Sequence, residues 1–400
     1  MGFCKEYYKL VDFLPKLRSV FMAVFTHTSR KRRNRQAKRF FLIGACVFLL
    51  LALLFCYLYF FTPAFKASGL AILTDIPSST EVFATKNGLY YLRGTTLHHT
   101  DLSGTPLWQF PFSSSSASLA VSDSLICLYD SNSATVMSPT QELYFTVRPS
   151  EFKLLGAYCG TSSTVFLTEI EGNSQSQYMR VFNVNQLSTE LDRSEVNQHK
   201  ILDYGLIGEN DNLWMMTLDT SGVSPISRLV MRSPSQKKDT GIVNISDQLI
   251  SDVFFFSSET YYLLGTVNLS RYNQFHEKQQ DILVYGQQCI DTAASANGNI
   301  FVFVPSSAGN TNYVARIVID HVSAPGSDTL IQLPSDVHDI LASPSTLYCF
   351  SNNTVYLYKL TGEFEQKIEL DFSVDSVQKL SDSLALLSSG KSTYLFPLSK

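Results

Sequence analysis

Residues Glu81–Phe112 read EVFATKNGLYYLRGTTLHHTDLSGTPLWQFPF. Asn87-Gly88 is a hairpin turn, because both residues tolerate positive φ. Leu89-Tyr90-Tyr91-Leu92 is an apolar strand suited to burial on both faces. Asp101-Leu102-Ser103-Gly104 then turns the chain toward Leu107-Trp108. The stretch therefore describes a short strand, a strongly apolar strand and two further strands, each joined to the next by a tight turn.

The apolar second strand recurs eight times, starting near Leu89, Leu125, Val165, Leu213, Tyr261, Ile300, Leu347 and Leu384, at spacings of 36–48 residues. Turn residues keep the register: Ser122-Asp123, Asn210-Asp211-Asn212 and Asn297-Gly298-Asn299 precede three of the copies. Four strands repeated at this period indicate a β-propeller, in which each blade buries one face on its neighbour and closure protects the sheet edges. The last copy holds only three strands, Val374–Leu380, Ser383–Leu387 and Ser392–Phe396. Gly69–Asp75 supplies a fourth, pairing the two ends of the domain in one blade. The expectation is an all-β, eight-bladed propeller over residues 69–400, with seven blades as the alternative.

Asp101-x-x-Gly104-x-x-x-Trp108 resembles the repeat of PQQ-like and WD40-like propellers, whose blades end in such a turn. The Trp recurs only as Trp214, in another strand position, and Tyr144 or Phe364 follow the turn elsewhere. Together with the Arg-rich start and single span described next, the layout is similar to an uncharacterised family of membrane-anchored PQQ-like β-propeller proteins of Gram-positive bacteria. The resemblance implies a fold and a location, and no active site.

The formal net charge of −4 is an average of two regions. Residues 1–39 carry eleven Lys or Arg against Glu6 and Asp12, a net +9, which leaves −13 for the remainder. Between them Phe40–Phe61, FFLIGACVFLLLALLFCYLYFF, has no charge over 22 residues. As a helix it spans about 33 Å, enough for the hydrocarbon core of a bilayer. Seven basic residues crowd Arg30–Arg39 just before it. The positive-inside rule then places the N-terminus in the cytoplasm, against an anionic inner leaflet, and residues 62–400 outside. The apolar stretch is too long for a cleaved signal peptide, and 15 apolar residues after Cys46 argue against a lipoprotein box. Lys9–Phe25 has the apolar period of a helix lying on the inner membrane surface. The domains expected are a basic tail (1–39), a transmembrane helix (40–61), a linker (62–68) and an extracytoplasmic propeller (69–400).

No catalytic signature accompanies the repeat. There is no phosphate loop, no His-Glu-x-x-His and no nucleophile elbow. With two Trp in the chain, a quinone site of the dehydrogenase type has too few stacking residues. His98 and His99 are neighbours on a strand, so their side chains face opposite sides and do not share a metal. Glu209-Asn210-Asp211-Asn212 reads as a turn and lacks the pattern of a calcium loop. No catalytic, cofactor or metal residue is assigned. Cys127 with Cys159, and Cys289 with Cys349, fall in adjacent blades, where either two bridges or four buried thiols are compatible with the spacing.

The reading that remains is a non-catalytic binding or scaffolding module of the cell envelope, facing a protein or glycan. A hydrolase or lyase using carboxylates from several blades, or a sensor signalling through the anchor, are the alternatives. The acidic domain disfavours nucleic acid and wall polyanions as partners. Of the four longest expected loops, Glu171–Gln177, Gln186–His199, Ser233–Thr240 and Ser270–Gln280, the last offers Tyr272, Phe275 and His276 as the candidate partner-contact surface.

Overall fold

The chain divides into two units, Met1–Ser68 and Gly69–Lys400. The computed structural model describes residues 71–398, apart from 115, 171–172, 187–189, 197–199, 258, 297, 307–313 and 322–325. The expected tail, span and linker lie outside the described residues. Among the described residues no helix is long and apolar enough to cross a membrane.

The second unit is an eight-bladed β-propeller. Its strands form eight antiparallel four-stranded sheets, and all eight apolar markers head or lie within the second strand of a blade. Seven blades use four consecutive strands: residues 82–111, 118–147, 152–195, 200–245, 250–283, 287–332 and 339–369. The eighth combines Ser376–Ser381, Leu384–Ser389 and Ser392–Pro397 with the N-terminal strand Ile72–Thr74. Eight sheets exclude the seven-bladed alternative.

Closure follows the sequence expectation. Ile72 pairs with Leu395 and Thr74 with Thr393. The Thr393 hydroxyl is buried, lies 2.6 Å from that of Thr74 and donates to the carbonyl of Ile76 at 2.7 Å. The two ends of the domain therefore share one sheet, and the ring has no open blade.

Hydrophobic layers lie between blades. Ile300, Val302 and Ile317 of blade 6 pack with Ile340, Leu347 and Cys349 of blade 7. Tyr90 and Leu97 of blade 1 likewise meet Ile126, Leu128 and Met137 of blade 2. This is why second strands are apolar on both faces: each lies inside its sheet and contacts a neighbouring blade on either side.

The Asp-x-x-Gly-x-x-x-Trp turn joins the third and fourth strands of blade 1. Asp101 Oδ1 accepts the N–H groups of Ser103 and Thr105 at 2.9 and 2.8 Å, and Gly104 takes φ 84°. Trp108, thus aimed sideways, packs on His99 and donates from Nε1 to the carbonyl of Pro139 in blade 2 at 3.1 Å. His98 and His99 face opposite sides, stacked on Tyr91 and Tyr90 respectively.

The expected long loops are shorter in the structure. Ser233–Thr240 contracts to a turn between Ile226–Ser233 and Lys238–Ile245, and Ser270–Gln280 to one between Asn268–Asn273 and Lys278–Leu283. Glu171–Gln177 contains the start of Asn173–Asn183, and Gln186–His199 contains the strand Glu190–Glu195. The outer strand of a blade has one free edge and few core contacts, so it carries the polar composition of a loop.

Candidate functional site

The first strand of each blade is the innermost, since first strands of neighbouring blades approach one another around the ring. Together they wall the central channel. Five of them bulge where they pair with the second strand, at Leu155, Leu202, Ser251, Ile290 and Leu380. A bulge adds one unpaired residue and re-aims the next side chain. In three consecutive blades that next residue is an aspartate: Asp203, Asp252 and Asp291. Sequence reasoning did not single these out.

Asp291 organises the channel wall of blades 6 to 8. Its Oδ2 accepts the N–H of Ala342 in blade 7 at 2.7 Å and lies 3.1 Å from Lys379 Nζ of blade 8. Lys379 also reaches Asp382 at 3.0 Å and the carbonyl of Thr292. Asp382 returns to blade 6, accepting the N–H of Ala294 at 3.2 Å. One lysine therefore ties blade 8 to blade 6 across the inner strand of blade 7. Burial pushes the Asp291 carboxyl above the usual range despite Lys379.

Beside this cluster lies a cavity of about 500 Å³, lined among others by Gln288, Asp291, His338, Asp339, Gln378 and Lys379. It sits toward the end of the channel where the inner strands begin. His338 Nδ1 and Asp339 Oδ2 are 3.0 Å apart, and Gln378 donates to the carbonyl of Val82 at 2.9 Å. Cys289 also lines it, its thiol pushed up to about 12, first by burial and then by Asp291 and Asp252. At neutral pH it is a thiol and a poor nucleophile. Asp203 is raised by burial and, secondarily, by the charge of Asp252. Among the described residues no three His, Cys, Asp or Glu side chains converge as a metal ion would require. The cavity is thus a preorganised polar recess whose Asp291 and Lys379 charges are matched within the protein.

The residues expected to form a contact loop separate in the structure. Tyr272 lies in the strand Asn268–Asn273, is 6% exposed and stacks on Tyr261 at 5.4 Å. It is core, because its cross-strand partner Tyr261 already faces the inter-blade layer. Phe275 is 71% exposed at the tip of the turn. His276 is half-buried, with Nδ1 3.1 Å from the Tyr261 hydroxyl, and burial lowers its pKa. All four described cysteines are free, so neither bridge is formed. Cys159 Sγ instead donates to the carbonyl of Ala120 in blade 2 at 3.4 Å.

Comparison with known proteins adds the fold. The chain is similar to the WD40 domain of SCAP from fission yeast, with TM-score 0.53 and 8% identity over 82% of this chain and 97% of that one. A structure of a eukaryotic initiation factor gives 0.50 at 10% identity, over 74% of this chain and 88% of that one. BamB from Moraxella catarrhalis gives 0.49 at 8% identity, over 81% and 100% respectively. No family model matches the chain, and no curated protein matches it. At identities this low, the two neighbours with TM-scores of 0.53 and 0.50 indicate a shared fold and nothing finer.

Proposed function

We propose that this protein is a non-catalytic binding or scaffolding module of the cell envelope, anchored by residues 40–61 and holding its propeller outside the membrane. The observation that carries the reading is the recess of about 500 Å³ at the channel wall, whose Asp291 and Lys379 are already satisfied by protein partners. Such a recess recognises shape and hydrogen-bond pattern, as loops and channel mouths of rigid scaffolds do. A loop of an envelope protein is the occupant that fits an open, polar recess of this size. The basic tail and chargeless span support the membrane location.

In-cell crosslinking of the full-length protein tests the reading. Gln288 is exposed on the recess wall, and Gln288→Trp fills the space while leaving the Asp291 and Lys379 side chains in place. A discrete envelope adduct in the wild type that disappears in the tryptophan variant is expected. An adduct retained in full by the variant, or none at all, contradicts a channel-side binding site.

A second reading rests on Asp203 and Asp252. Burial, and secondarily the charge of Asp252 in the adjacent blade, raise the Asp203 carboxyl, the direction that a hydrolase acid requires. Turnover of neutral glycoside or ester substrates that is abolished by Asp203→Asn would favour it over the binding reading.

A further inference from the structure

A smaller cavity of about 220 Å³ lies between blades 4 and 5. It opens at the end of the ring carrying the turns between first and second strands and between third and fourth strands, opposite the channel recess. Its apolar wall is Ile207, Met231 and Phe255. Its polar side chains include Asn212, Thr240, Tyr261, Gln274 and His276, and among the described residues no Lys, Arg, Asp or Glu lines it. Burial lowers the His276 pKa, so its imidazole is neutral at pH 7 and carries both a donor and an acceptor.

His276 is placed there by the turn between the third and fourth strands of blade 5. In the turns between third and fourth strands, the residue with positive φ is Gly104 in blade 1, Gln141 in blade 2, Lys237 in blade 4 and Gly362 in blade 7. Blade 5 puts His276 at that position, at φ 64°. Non-glycine residues adopt this conformation only at a cost. The ring then occupies the space that a Cβ at Gly241 of blade 4 would take, and it meets the Tyr261 hydroxyl. Glycine at 241 and histidine at 276 together let an imidazole from blade 5 close a pocket in blade 4. Phe275, exposed beside it, adds an aromatic face at the rim.

We infer that this pocket binds one ring of a neutral saccharide. A charged ligand would meet no counter-charge on the lining. An aliphatic side chain would strip water from several hydrogen-bonding groups and return nothing to them. A pyranose has hydroxyls that donate and accept, matching neutral Asn, Gln, Thr, Tyr and His side chains, and a C–H face that packs on Phe255 or Phe275. The volume lies below the roughly 300–1,000 Å³ of sites for drug-sized ligands, which limits the occupant to a single ring. The site is independent of the channel recess, on another face and in other blades.

Saturation-transfer NMR on the purified full-length protein in detergent tests the assignment. The probes are the methyl glycosides of glucose, galactose, mannose and N-acetylglucosamine. Saturable transfer from at least one of them is expected. Thr240→Trp, on the exposed outer strand of blade 4, fills the pocket and abolishes transfer. His276→Gly keeps the turn, since glycine suits its φ, and weakens binding by at least about tenfold through loss of hydrogen bonds. Absence of transfer from all four glycosides overturns the inference, as does equal transfer from wild type and the tryptophan variant. Neither variant alters the channel lining, so crosslinking at the recess stays intact and the two proposals fail separately.

Discussion

Replacing Lys379 by methionine removes the cation shared by Asp291, Asp382 and the carbonyl of Thr292 while keeping the volume of the stem. Breaking a buried ion pair costs about 3–5 kcal/mol, because the remaining charge is stranded. The lower end applies, since the Lys379 and Asp291 side chains keep 17% and 11% exposure. For a domain of about 330 residues the unfolding entropy is about 0.7 kcal/mol/K, so a loss of about 3 kcal/mol lowers Tm by about 4 °C. The effect also has a required pH dependence. Burial already raises the Asp291 carboxyl, and Lys379 is among the groups that hold it down. Without the lysine the folded-state pKa rises further above the unfolded value of about 3.9. A carboxyl raised on folding contributes stability that is complete below its unfolded pKa and lost as pH rises through its folded pKa. The Tm gap between wild type and Lys379→Met is therefore smallest at acidic pH, where Asp291 is protonated in both proteins, and widens as the pH rises above the ordinary carboxylate range. Adding Asp291→Asn should restore more than half of the loss at neutral pH. Differential scanning of the three proteins across pH measures this. A gap that is independent of pH, or a double variant no better than the single, refutes the role given to the pair.

Three further outcomes follow from the packing. Arg271→Met strands Asp320, which has no exposure and is otherwise held by the Tyr262 hydroxyl at 3.0 Å. It should cost about 3–5 kcal/mol in urea unfolding, with substantial recovery on adding Asp320→Asn. Trp108→Phe keeps most of the ring but loses the bond to Pro139, for about 1 kcal/mol by the same assay. Thr393→Val removes both closure hydrogen bonds, lowers stability by about 1–2 kcal/mol, and accelerates hydrogen exchange at residues 72–74 before the rest of the ring.

The eight blades were legible because their second strands are apolar along their length, a pattern that only strands buried on both faces require. Ring closure was legible because the final copy lacked one strand and Gly69–Asp75 had no other sheet to join. The channel carboxylates were harder to see. Asp203, Asp252 and Asp291 each precede the apolar marker of their blade by nine or ten residues, a regularity present in the sequence. What makes it meaningful is the bulge before each aspartate, which depends on pairing and leaves no residue signature. Tyr272 was misplaced because Arg271 and Asn273 flank it, whereas its burial comes from Tyr261 across the hairpin. The setting of His276 is tertiary, fixed by Gly241 in a different blade.

A photoreactive amino acid placed at position 288 of the full-length protein, on the recess wall, and separately at position 330, where Leu330 is 68% exposed on the outer strand of blade 6, tests the binding role most directly. If the channel recess recognises an envelope partner, illumination of intact cells gives one discrete heterologous adduct at 288 and none at 330. Equal labelling at both positions, or adducts only at 330, contradicts it.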